Sequence, residues 1–319
     1  MIKKNIAIIA VTLLTMVNYS FAAADLSASV KEAKAIIAAG LRSTDERVRA
    51  NAVEAVSATG TPELTDDAEA LLDDPSVIVR FASAIAMGDM NYSHSKLKLK
   101  ELLRDRNLNV VLASSYALSK MGEIQYSKAI DSNAMNTNQD IRANVAMLLG
   151  KLGKKESLPL LYKIKDDPDS SNAAAFNATE AIAKIGDEKI YKKIWAMLIS
   201  VYADDRYMGV QAMASFGGTR GANAIISLLD DEIPQVRLSA AGQLGVLKDP
   251  SGAIVVKEYL TGPLPEKKED ADRCNVIAAL AIGQIGSDDL KVFLPKMLKN
   301  ENPYVQLAAA KSILTLKPQ

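Results

Sequence analysis

The chain has 319 residues, with 38 basic and 38 acidic side chains, one histidine and one cysteine. Balanced charge excludes the net basic surface of a nucleic-acid binder; one cysteine excludes an internal disulfide framework, and one histidine excludes a metal centre built from repeated imidazoles. A globular chain of this length divides into two domains, whereas a repeat array carries it as one.

In chain order, residues 1–24 stand apart. Lys3 and Lys4 precede an apolar run from Ile6 to Val17, and Ser20-Phe21-Ala22 or Ala22-Ala23-Ala24 offers a small-x-small cleavage site. The run is short for a membrane span. The expectation is a cleaved secretory signal, with residues 25–319 forming one exported, periplasmic or secreted unit that has no transmembrane segment. Losing Lys3 and Lys4 leaves 36 basic against 38 acidic groups, still near neutral.

Leu26 to Leu41 reads as a first outer helix, and Ser43-Thr44-Asp45-Glu46 as a capping box that opens an inner helix. From there one pattern recurs nine times. Its apolar anchor falls at Val48, Val79, Val110, Ile141, Ala174, Asp205, Val236, Cys274 and Val305, at steps of 31 residues except for one of 33 and one of 38. Four residues after the anchor the side chain is small in most copies, seven after it is mostly alanine, and eight after it is larger and apolar. Twelve after comes glycine in six copies, with Asn91, Lys248 and Lys317 as the departures. Offsets 0, 4, 7, 8 and 11 make one stripe of an α-helix, and a glycine just beyond it suits the left-handed position that ends a helix. Outer helices are expected between the copies, near Glu63–Leu72, Ser95–Leu103, Ile124–Ile130, Ser157–Ile164, Lys189–Val201, Gly221–Leu229, Gly252–Leu260 and Asp289–Leu298. No stretch alternates with the period of a strand. The fold class expected is all-α: a right-handed α-solenoid of about nine helix pairs, each burying its apolar face against its neighbours.

Val48-Arg49, Val79-Arg80, Ile141-Arg142 and Val236-Arg237, each followed by the alanine pattern, together with the acidic turns Asp73-Asp74 and Asp230-Asp231, resemble HEAT repeats, in particular the short bacterial kind of phycobilisome-lyase-like proteins. The resemblance covers nearly all of residues 26–317. It implies a ladder in which turn aspartates bind Arg49, Arg80, Arg142, Arg206 and Arg237; a phosphate-binding row of arginines is the alternative. It also brings two enzyme readings. A hydroxylase of the deoxyhypusine type needs repeated His-Glu pairs, and His94, followed by Ser95, is the sole histidine. A lyase-like enzyme or cofactor and enzyme-maturation factor of the HEAT-like lyase group has no distinguishing motif here. No nucleophile elbow, phosphate loop or zinc spacing occurs, so no catalytic residue, metal ligand or cofactor is assigned.

What remains is surface. Offsets 3 and 6 of the inner helices fall opposite the buried stripe and are expected to face the concave side. The partner-binding residues assigned on that basis are Asn51, Ile85, Tyr116, Asn144, Met147, Asn177, Glu180, Met208, Gln211, Ile277 and Leu280, where methionine and tyrosine suit adaptable recognition and asparagine can hold a peptide backbone. The same apolar row is also what packing at the inside of a curve would produce. The insertions at 166–173 and at Thr261–Asp270, and the basic run Lys96, Lys98, Lys100, Arg104 and Arg106, are further surface features. Leu307, Ala310 and Leu314 share a face of the last inner helix with no repeat to follow, so a homodimer or docked partner is expected on that end. Cys274, in the anchor slot, reads as a small core residue, with a reactive thiol as the alternative. The functional expectation is a non-catalytic scaffold or adaptor that binds a protein or peptide along its concave face, with the lyase-like enzyme and a structural spacer as alternatives.

Overall fold

A computed structural model describes residues 28–316; the leader at 1–24, its cleavage sites and Lys317 lie outside them. Among the described residues there are helices and turns but no strand. The nine inner helices are α1 (Glu46–Thr59), α2 (Val77–Asp89), α3 (Leu108–Lys120), α4 (Gln139–Leu152), α5 (Asn172–Ile185), α6 (Ala203–Phe216), α7 (Pro234–Val246), α8 (Lys268–Ile285) and α9 (Pro303–Thr315). A helix at 28–41 precedes α1 on the outer layer. Short outer helices, most of them entered through a single 3-10 turn, lie between the inner ones within a few residues of the expected ranges. The molecule is an α-helical solenoid of stacked helix pairs.

The local chemistry of the ends is repeated as closely as the stripe. Gly60, Gly122, Gly153, Gly186, Gly217 and Gly286 have positive φ, and the two described departures, Asn91 (φ 51°) and Lys248 (φ 67°), adopt the left-handed conformation too. The position therefore demands the geometry and only prefers the residue. At the other end the capping differs from expectation in detail. Asp45 rather than Ser43 caps α1, its carboxylate accepting from the N–H groups of Arg47 and Val48, while Ser43 accepts from the N–H of Asp45. A carboxylate suits the positive end of the helix better than a hydroxyl does.

Small residues set the spacing between neighbours. A Cβ on Gly88 would lie 2.7 Å from the Ala117 backbone, one on Gly150 2.6 Å from the Ala181 Cβ, and one on Gly283 2.5 Å from the Ser312 hydroxyl. These glycines stand nine residues after their anchors and meet the residue seven after the next anchor, so α2 and α3, α4 and α5, and α8 and α9 touch nearly backbone to backbone.

Each inner helix packs on the next, and α9 packs on α8 at one side and on α1 at the other. The solenoid is thus a closed ring. The seam is built like any other contact: a Cβ on Gly40, in the helix at 28–41, would come 2.9 Å from the Ala52 Cβ and 3.1 Å from Leu307. The ammonium of Lys311 donates to Glu54 at 2.8 Å, joining residues 257 apart in sequence. One continuous core runs through the seam from Ala33 to Leu314. This corrects the expected end interface. Leu307, Ala310 and Leu314 are buried, at 4%, 0% and 8% exposure, because the first repeat covers them within the same chain, so among the described residues these three form core and not an open apolar end.

The remaining sequence features settle into ordinary roles. Lys98 pairs with Asp73 and Glu101, and Lys96 and Lys100 with Glu123, so acids of neighbouring outer segments neutralise much of the basic run. Cys274 is buried, and burial pushes its thiol pKa up. The Thr261–Asp270 insertion lengthens α8 to 18 residues, against 14 in α1, by extending its N-terminal end.

Candidate functional site

Closure turns a concave surface into a lumen. Three cavities are walled by inner helices and their caps without any outer helix.

The first, about 670 Å³, lies between α1, α2 and α4. Ile78, Phe81 and Ile85 form its apolar floor, and Glu54, Asp89 and Lys151 bring charge to its edge. Lys151 reaches back over a repeat to Asp89 at 2.7 Å, so the ring bends sharply at α3 and draws α2 and α4 together on the inside. The bend explains Tyr116. It is 1% exposed and its phenol donates to Asp89, with the Lys151 ammonium 5.9 Å from its ring centre. Burial, then the bond to Asp89 and the carboxylate charge, push the phenol pKa far up, so Tyr116 is a neutral donor that fixes the Asp89–Lys151 pair. Its place is in the wall of the lumen, not on its surface.

The second cavity, about 940 Å³, occupies the mouth where the inner helices begin. Arg47 of α1, Asp204 and Tyr207 of α6, Tyr304 of α9 and the added first turns of α8, carrying Glu269, Asp272 and Arg273, all line it. Residues from opposite arcs of the ring meet here. Sequence reasoning located the insertion but missed its effect, since the charged run Lys267-Lys268-Glu269-Asp270 reads equally as loop and as a helix start. The third cavity, about 150 Å³, sits at the seam between Asn51, Glu54, Leu280, Leu307 and Lys311.

The other assigned residues divide by environment. Ile85, Ile277 and Leu280 line these cavities. Met147, Met208 and Gln211 are half-buried on the inner helices. The amides are committed elsewhere: Asn144 donates to the Asn109 side chain, Asn177 to the carbonyl of Ala143, and Asn51 to the carbonyl of Arg47. Glu180 accepts from the Ser215 hydroxyl of the next repeat. Asn144 and Asn177 therefore stitch neighbouring helices while Asn51 bonds back within its own helix, which the sequence pattern alone does not distinguish from a free recognition row.

Four of the five expected rungs of the arginine ladder are formed, and Arg237 is the exception, bonding only to the backbone carbonyl of Asp231. Arg49 grips Asp74 through Nε and Nη2 at 2.8 and 2.9 Å, Arg80 grips Asp105 at 2.8 and 3.1 Å, and Arg206 grips Asp231 at 2.6 and 2.9 Å. Arg142 meets Asp167 through Nη1 at 3.0 Å. Burial alone raises the pKa of Asp74, Asp105 and Asp231, but the guanidinium and a backbone N–H donor outweigh it and hold each carboxyl below its usual value. These arginines are engaged, so no row is left to bind phosphate. Among the described residues, no group of three or more His, Cys, Asp or Glu side chains is arranged to hold a metal ion, and no helix is long and apolar enough to cross a membrane.

No protein-family model and no curated protein matches the sequence. Solved structures do resemble the fold. They include the complex of CpcE and CpcF of phycocyanin lyase from Nostoc sp. PCC7120, at 17% identity and a TM-score of 0.47 over 70% of this chain and 92% of that one. Human deoxyhypusine hydroxylase in complex with glycerol aligns at 16% identity and a TM-score of 0.37 over 91% and 97% of the two chains. The karyopherin Kap121p, bound to the extreme C-terminus of the protein phosphatase Cdc14p, aligns at 16% identity and a TM-score of 0.35 over 87% of this chain and 37% of that one.

Proposed function

We propose that the chain is an exported, non-catalytic binding ring that holds one extended or helical protein segment in its lumen. The observation that carries this reading is the chemistry of the inner wall between α1, α2 and α4: Ile78, Phe81 and Ile85 form an apolar strip next to Glu54, Asp89 and Lys151. Apolar area supplies affinity, and flanking charges of both signs orient a chain. Cavities of about 670 and 940 Å³ on the inner face suit a single segment rather than a folded domain. Export rests on the leader-like pattern of residues 1–24.

The test is site-specific photo-crosslinking in an envelope fraction. A benzophenone amino acid at Ile85 or Met208 is expected to yield adducts with a partner, and one at Lys128 on the outer layer is expected to yield none. Adducts only from Lys128 would place binding on the outer face and overturn the lumen reading. Export is checked by the mass of the mature chain, expected to begin at Ala23 or Asp25; soluble protein that retains Met1 would contradict it.

A further inference from the structure

The ladder contains one incomplete rung. Arginine one residue after the anchor and aspartate 25 residues further on occur together in Arg49 and Asp74, Arg80 and Asp105, Arg142 and Asp167, and Arg206 and Asp231. They are also lost together, in Val111 and Asn136, Ala175 and Ser200, and Asn275 and Asn300. Arg237 breaks the rule, because the position that should hold its acid is Gly262.

The arginine is nonetheless set in the orientation of a rung. Its Nη1 donates to the carbonyl of Asp231 at 2.5 Å, as Arg80 Nη1 donates to that of Asp74 at 2.8 Å and Arg206 Nη1 to that of Ser200 at 3.0 Å. In Arg80 and Arg206 the Nε and Nη2 edge then grips an aspartate. In Arg237 that edge makes no hydrogen bond, and among the described residues no carboxylate stands at ion-pair distance from it. Of the acids that follow Gly262, Glu266 stays exposed in the loop ahead of α8, while Glu269 lies in α8 and turns to the mouth of the lumen. Nor can position 262 supply one, since a Cβ there would lie 2.8 Å from the Glu258 carbonyl oxygen.

In place of the missing carboxylate is a cavity of about 660 Å³ on the rim, between α7, the outer helix Ala253–Thr261 and the inserted loop. Leu229, Leu238 and Val255 give it an apolar floor, and Pro263-Leu264-Pro265 a stiff wall. Asp230, Glu232 and Glu258 stand around it. These acids disfavour a simple anion such as phosphate. They favour a molecule that gives its carboxylate to Arg237 and carries a cation on an aliphatic stem toward them.

We propose that this cavity binds a basic amino acid by its free α-carboxylate and side-chain cation, either as the free molecule or as the C-terminal residue of a peptide. The carboxylate completes the fifth rung in trans. The site is separate from the lumen and stands or falls independently of the function proposed for it.

Calorimetric titration of the full chain tests the proposal with five probes: L-arginine, N-acetyl-L-arginine, N-acetyl-L-argininamide, and a peptide ending in arginine in free-carboxyl and amidated forms. The free carboxyl probes are expected to bind saturably and the amides about tenfold more weakly or worse, the loss of one charge-assisted pair. Saturable binding by L-arginine alone identifies the free amino acid as the ligand class, and binding by the peptide identifies a chain end. R237K, which keeps the charge but loses the fork, is expected to weaken the acids and leave the amides unchanged, at an unaltered circular dichroism melt. E258Q is expected to weaken N-acetyl-L-arginine more than N-acetyl-L-norleucine. Equal affinity for acid and amide, unchanged binding in folded R237K, or no binding by any probe would overturn the proposal.

Discussion

Asp74 shows how much a single side chain organises. It accepts from Arg49 of the preceding inner helix and from the N–H of Ser76, and its own carbonyl accepts from Arg80, so one residue ties three consecutive segments. Its side chain is 5% exposed, and removing one partner of a buried pair typically costs about 3–5 kcal/mol. Asp74→Asn is accordingly expected to lower the melting temperature by several degrees, whereas Asp73→Asn, at an exposed carboxylate beside it, changes it little. The sign of the pH dependence follows from the lowered pKa values of Asp74, Asp105 and Asp231. Their stabilisation is complete above the unfolded carboxylate value of about 3.9 and is lost as the pH falls through the lower folded values. Chemical denaturation at a series of pH values should therefore show stability falling below about pH 4, with a shallower fall in Asp74→Asn. A left-handed lysine costs about 1–2 kcal/mol relative to glycine before glycine's greater unfolded entropy is counted. Lys248→Gly, at φ 67°, is expected to gain a few tenths to about 1 kcal/mol, and a lower melting temperature would contradict that assignment.

Between elements, the contact that decides spacing is glycine against alanine. The Cβ that Gly150 lacks would stand 2.6 Å from Ala181, so Gly150→Leu must push α4 from α5 and is expected to cost about 1–3 kcal/mol or more by overpacking. Ala181→Trp strikes the same contact from the other side. Both should broaden or split the unfolding transition, because each repeat is held by its neighbours. The repeat stripe and helix ends were legible in the sequence because they are local: apolar spacing, a left-handed stop and a turn aspartate all lie within a dozen residues. The glycine nine after the anchor could have been found in the same way from Gly88, Gly150, Gly245 and Gly283. Tyr116 was not legible as a wall residue. Its burial depends on the bend that brings Lys151 to Asp89, and that bend is a property of three helices together. The lengthened α8 escaped for a different reason, since Pro263 and Pro265 marked the loop clearly while the following charges gave no signal of where the helix resumes.

At the scale of the molecule, ring closure is the sum of nine small rotations, each set by which side chains meet between neighbours. No single repeat encodes it, so an open array with an apolar end was the natural expectation from Leu307, Ala310 and Leu314. Closure changes the meaning of those residues from interface to core. Leu307→Lys with Leu314→Lys is expected to destabilise the monomer by at least about 3–5 kcal/mol, through lost burial and two charges placed in the seam, without altering a dimerisation. Light scattering together with thermal melts separates the two effects. Closure also makes the lumen a defined compartment, and the binding function proposed for it depends on the ring being shut in solution. Zero-length carbodiimide coupling tests this most directly, because it joins only an amine and a carboxylate already in contact. In the monomer fraction, peptide mass spectrometry is expected to find Lys311 joined to Glu54, 2.8 Å apart across the seam, along with the control pair Lys98 and Asp73 within the array. Recovery of the control link with no Lys311–Glu54 link, or with that link only between molecules in a dimer fraction, would contradict the closed ring.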